Sequence, residues 1–106
     1  MDVDQGRSAP VFSATAGIDD GHLRVVVTGE VDMATADTML QTALREPARR
    51  ITLDLRAVTF FDSAAIHAVL HLGRLFPGAL SVHPSRQVTR VLEISGLGDQ
   101  DWLRPV

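Results

Sequence analysis

The hydrophobic pattern of the chain changes period at Asp62. Upstream, Ile51, Leu53 and Leu55 alternate with Thr52, Asp54 and Arg56, the two-residue repeat of a strand. Downstream, Ile66, Val69, Leu70 and Gly73 fall on one face of a 3.6-residue repeat, a helix that stops before Pro77-Gly78. The junction reads Phe60-Phe61-Asp62-Ser63-Ala64-Ala65-Ile66, so an acid and a hydroxyl stand together where a strand turns into a helix. The first N–H groups of a helix lack intrahelical partners, and that end of the helix dipole is positive. Such a turn holds a phosphate, carries a phosphorylatable hydroxyl, or only caps the helix, and the residue types alone leave all three open.

The same change of period recurs along the chain. Val11 to Ala16 reads as a short first strand, and Gly17-Ile18-Asp19-Asp20-Gly21 as a turn. His22 to Val31 is a strand whose continuous Val25-Val26-Val27 run suits a buried sheet position, with Gly29 marking a bulge. Ala36, Leu40, Ala43 and Leu44 then share a helical face, with Asp32 as candidate N-cap and Pro47 as the stop. Leu80 and Val82 make a short strand. A third helix follows Pro84, capped by Ser85, with Val88, Val91, Leu92 and Ser95 inward and Gly96-Leu97-Gly98 at its end. Trp102-Leu103 closes the chain as a strand or a helical turn. The order β-β-α-β-α-β-α predicts an α/β fold: a small mixed sheet, parallel after an initial hairpin, with helices on one side. Residues 1–10, polar and containing Gly6 and Pro10, read as a flexible tail before a domain at 11–106.

Bulk properties narrow the function. A chain of 106 residues is one domain, and its 45% hydrophobic content suits a real core. The net charge of -3 and the scattering of its ten Arg give no nucleic-acid footprint. With no cysteine there is no disulfide, thiolate metal site or thiol nucleophile. No apolar run approaches the roughly 20 residues of a membrane span, and the acidic first residues are unlike a signal peptide, so a cytoplasmic protein without membrane insertion is expected.

Three constellations remain. Asp32 and Asp62 each stand where a strand gives way to a helix, and carboxylates that pair bind metal or do acid–base work; two helix caps explain them more simply. His67 and His71, spaced i and i+4 on the side of Ala64, have the separation of a shared metal pair, but no Glu follows His67 and no Cys is at hand. They read as exposed polar positions beside the turn. Arg86 and Arg90 read as a solvated helix face. No supporting set of nucleophile, base and orienting group appears, so neither an enzyme nor a cofactor is expected.

The segments Gly29-Glu30-Val31-Asp32-Met33-Ala34-Thr35-Ala36, Leu53-Asp54-Leu55-Arg56-Ala57-Val58-Thr59-Phe60-Phe61-Asp62-Ser63 and Ile94-Ser95-Gly96-Leu97 together resemble the STAS domain of bacterial anti-sigma factor antagonists. They occur in the family's order and at its spacing, over nearly all of residues 11–103. The resemblance implies a protein–protein switch. In that family the unmodified domain binds an anti-sigma factor with an ATPase-like kinase fold and so frees the sigma factor. The kinase ends the contact by phosphorylating the second Ser of an Asp-Ser-Ser-Gly turn, and a phosphatase restores it.

Here that second Ser is Ala64 and the Gly is Ala65. Alanine has no oxygen to phosphorylate, and Ser63, the only remaining hydroxyl of the turn, matches the residue that serves the family as a cap. The resemblance therefore implies an antagonist-like protein without the usual switch, binding an anti-sigma factor or serine-kinase-fold regulator through Asp32, Asp62, Ser63, Ala64 and His67, with Ser63 the one candidate phosphosite. The alternatives are a scaffold subunit of a lipid-transport ATPase complex, whose turns also lack the full motif, and a module that holds a nucleotide or anion at the helix start.

Overall fold

The computed structural model describes residues 11–106; the expected tail at 1–10 lies outside them. The elements are β1 (Phe12–Asp19), β2 (His22–Val31), α1 (Ala36–Leu44), β3 (Arg50–Phe61), α2 (Ser63–Leu75), β4 (Leu80–Pro84) and α3 (Arg86–Ile94). This is the expected order. The sheet has strand order β1-β2-β3-β4, with β1 antiparallel to β2 and the other pairs parallel. Each parallel step moves one strand along through a helix, the βαβ connection that layers helices on a sheet.

The hairpin turn is tighter than the sequence pattern suggests. Asp20 and Gly21 both have positive φ, at 53° and 78°, and these two residues alone reverse the chain. Gly17 is therefore not a turn residue but a position in β1, opposite Arg24. β3 is also longer than its alternating segment. Register shifts between Val26 and Thr28 and between Gly29 and Glu30 break the period-2 pattern beyond Leu55. The strand continues to Phe61, and the bulges turn Val58 and Phe61 back into the core.

One core fills one face of the sheet. Leu23, Val25 and Val27 of β2, Ile51, Leu53 and Leu55 of β3, and Leu80 and Val82 of β4 are buried in a single cluster with residues from all three helices. On the opposite face Arg24, Val26 and Arg56 are exposed. There Arg56 makes a two-pronged pair with Asp54, Nε to Oδ1 at 2.9 Å and Nη2 to Oδ2 at 2.8 Å. That hydrogen bonding holds the Asp54 carboxyl below the usual carboxylate range, against the opposing effect of its partial burial.

Two helix faces differ from expectation. α2 buries Ala65, Ala68, Val69 and Leu72, and Ile66 and Leu70 are only half-buried. The inward face is rotated toward the alanines, because small side chains let α1 and α2 pack closely. α3 buries Val88 and Leu92 as expected, but Ser95 is an exposed C-cap residue. The Trp102-Leu103 segment is strand-like: Leu103 bridges Val82 in parallel, with Val82 N–H donating to the Trp102 carbonyl at 2.8 Å. Trp102 itself is buried, against Gly73 of α2.

Candidate functional site

The carboxyl ends of parallel strands are where open α/β sheets place ligands and partners. β2 and β3 end side by side here, with Val31 opposite Phe61 and the Asp62 N–H donating to the Val31 carbonyl at 3.3 Å. Each strand then turns into a helix at an aspartate, and the two turns differ.

Asp62 is the N-cap of α2. Its Oδ1 accepts the Ala65 N–H at 3.1 Å, satisfying one of the free amides of the first turn. Ser63 is the first helical residue, exposed, and takes no part in the cap; the expectation that both residues share it is corrected. Replacing Asp62 with alanine is expected to cost about 1 kcal/mol, a fall of roughly 4–8 °C in Tm for a domain near 100 residues. A thermal melt unchanged from wild type would mean that the cap contributes nothing.

Asp32 is not the N-cap of α1. A turn at 33–35 intervenes, and Thr35 occupies the cap position without a side-chain cap bond. Asp32 instead closes the turn: its Oδ1 accepts from Ala34 N–H at 2.9 Å and Thr35 N–H at 3.2 Å. The Thr35 hydroxyl accepts from Asp32 N–H at 2.9 Å and donates to the Glu30 carbonyl at 2.9 Å. Both aspartates thus spend carboxylate oxygens on turning the backbone. Among the described residues no group of three or more His, Asp or Glu side chains could hold a metal ion.

Beside these turns, α1 and α2 enclose an open groove of about 340 Å³. Ala64, His67 and His71 line it from α2, and Met33, Asp37 and Leu40 from the side of α1. The expected sharing of one side by Ala64, His67 and His71 is therefore observed. Met33, at the tip of the β2–α1 turn, is 82% exposed, and Phe60, paired with Glu30 across the strand ends, is 45% exposed. Neither residue is singled out by the sequence pattern: Met33 falls outside the periodic face of α1, and Phe60 sits between two bulge-displaced core residues. The available signal was Met33 itself, a large apolar residue between Asp32 and the polar helix start. Arg86 and Arg90 are exposed on α3, as expected, and line no part of the groove.

Comparison with known proteins agrees with this geometry. The family model described as "Mlab, STAS domain" matches residues 14–105. No curated protein sequence is significantly similar to the chain. Among solved structures, an anti-sigma factor antagonist from Mycobacterium paratuberculosis superposes with a TM-score of 0.75 at 26% identity, over 93% of this chain and 91% of that one. The Bacillus cell fate determinant SpoIIAA in its phosphorylated form gives 0.64 at 20% identity, over 90% of each chain. SpoIIAA in its unphosphorylated form gives 0.65 at 19% identity, over 90% and 87%. The last two likenesses concern the fold. With a family model covering almost the whole described chain and this β-β-α-β-α-β-α order around an aspartate-capped turn, the protein belongs to the STAS domain family.

Proposed function

We propose that the chain is a non-enzymatic, cytoplasmic regulator of the anti-sigma factor antagonist type, which binds a kinase-fold anti-sigma factor and thereby displaces the sigma factor. The observation that carries the reading is the position of Ala64. The residue that matches the family's phosphoserine lines an open, largely apolar groove, next to an exposed Met33. Apolar side chains rimmed by polar ones are the composition of a partner-binding surface. The partner contacts Ala64 and His67 in the groove and the neighbouring turns of Asp32, Asp62 and Ser63. With Ala64 in place of the hydroxyl, the contact is not ended by phosphorylation at that position. The 26% identity and near-complete mutual coverage with the mycobacterial antagonist support the partner class.

A second reading is a scaffold subunit docked on a transport ATPase. The Ala64-Ala65 turn favours it, since the resemblance associates incomplete turns with that group. Affinity purification of the tagged full chain from its own cells, with identification by mass spectrometry, separates the two. A kinase-fold anti-sigma factor that also forms a complex with the purified protein is expected. Transport ATPase subunits with no sigma regulator would sink the antagonist reading.

A further inference from the structure

We propose that the amino end of the sheet's open face binds a phosphate-class oxyanion, at a site separate from the α1–α2 groove. β2, β3 and β4 run parallel, so their first residues converge at the end of the sheet opposite the aspartate turns. His22 pairs with Arg50, and Thr52 with Ser81. Leu23, Ile51 and Leu80 turn into the core, so His22, Arg50, Thr52 and Ser81 stand on the other face. The Leu103–Val82 bridge then brings Arg104 alongside. These five side chains line a pocket of about 130 Å³ that no carboxylate enters.

The pocket's own hydrogen bonds leave donors free. The His22 ring and the Thr52 hydroxyl satisfy each other at 2.7 Å, with Thr52 only 6% exposed. Arg104 donates through Nη1 to the Asp101 carbonyl at 2.8 Å and through Nη2 to Ser81 Oγ at 3.2 Å. A guanidinium has five N–H donors, so three of those on Arg104 remain, and Ser81, having accepted, keeps its own O–H to donate. Arg50 has no side-chain hydrogen bond or ion pair to any described residue. Its neighbour Arg49, by contrast, donates to the Asp20 carbonyl at 2.7 Å and lies 3.8 Å from the Asp20 carboxylate.

The pocket thus holds positive charge, no carboxylate and a surplus of hydrogen-bond donors. An acceptor-only anion with several oxygens complements it, and forked guanidinium donors suit phosphate best. The volume is well below the roughly 300–1,000 Å³ of sites that enclose a drug-sized ligand. It therefore takes a phosphate group alone, with any remainder of the ligand lying on the open face beside His22.

Titration of the ¹⁵N-labelled full chain with inorganic phosphate, against sodium chloride at equal ionic strength, tests this. Saturable amide shifts centred on Thr52, Ser81 and Arg104 are expected with phosphate and not with chloride. Arg50→Gln and Arg104→Gln should each weaken binding roughly tenfold, and Arg104→Lys less, because it keeps the charge and loses the fork. Arg104 also tethers the C-terminal segment, but Arg50 tethers nothing among the described residues, so Arg50→Gln remains decisive if the other variant loses its dispersed spectrum. Glycerol phosphate in a parallel titration distinguishes the source: tighter binding than phosphate assigns a phosphomonoester, and equal binding assigns the free anion. Shifts that chloride reproduces, that centre on Ser63 to Ala65, or that persist in the Arg50→Gln/Arg104→Gln double variant would overturn the site.

Discussion

Gly29→Ala is expected to cost about 3 kcal/mol of stability and to lower Tm by more than about 10 °C. Two effects add. Gly29 has φ +86°, where a side chain costs on the order of 1 kcal/mol. A β-carbon there would also run into the backbone carbonyl of Val11, and a backbone atom cannot rotate away as a flexible side chain can. β1 would have to retreat from β2, straining the bond from Glu30 N–H to the Val11 carbonyl, whose net worth is about 1 kcal/mol. Gly17→Ala is the control. Gly17 lies in the partner strand β1, with ordinary backbone angles and nothing within 4 Å of its added carbon, so its melt should stay within about 2–4 °C of wild type. Equal melts for the two variants would remove the steric account of Gly29.

Gly29 also illustrates what was legible in the sequence. A glycine inside an otherwise β-branched strand points to a bulge; a register shift does follow it, between Gly29 and Glu30, but the extra residue is Thr59 of β3 and not a residue of the glycine's own strand. The element order was legible for the same reason: hydrophobic period distinguishes strand from helix even in a short chain. Where that period is interrupted, legibility fails. The bulges in β3 put buried Val58 and Phe61 three residues apart, so the last five residues of the strand carry no alternating signal. On α2, alanines at the helix contact rank low on any hydrophobic count, which hid the true inward face and with it the groove beside it.

The candidate site divides in the same way. Asp62 as a cap, and Ala64 with His67 and His71 on one side, follow from spacing on a single helix. The groove needs a second wall from α1, and Met33, Asp37 and Leu40 join it only through the tertiary packing of α1 on α2. The Asp32 error has a local cause. A cap residue and a turn-closing residue have the same composition, because both accept backbone N–H bonds two or three residues ahead. Only the turn at 33–35 distinguishes them.

Ala64→Glu is expected to abolish partner binding while leaving the fold as stable or slightly more so. Ala64 is the second residue of α2, where a carboxylate faces the positive end of the helix dipole and gains about 0.3–1 kcal/mol. The same carboxylate would stand in the groove among Met33, Leu40 and Ala68, and a docked partner would bury it without a counter-charge. The expected loss is at least about 100-fold in Kd, or roughly 2.7 kcal/mol. Because stability and binding move in opposite directions, general unfolding cannot produce this result. Ala64→Ser separates charge from position: one hydroxyl should change affinity by less than about threefold. With ATP and the proposed kinase-fold partner, that variant alone should gain a phosphate, and phosphorylation should bring its affinity down to that of Ala64→Glu. Wild-type protein that gains a phosphate at Ser63 would restore a switch to the turn. An Ala64→Glu variant that binds as wild type does would move the interface off the groove altogether.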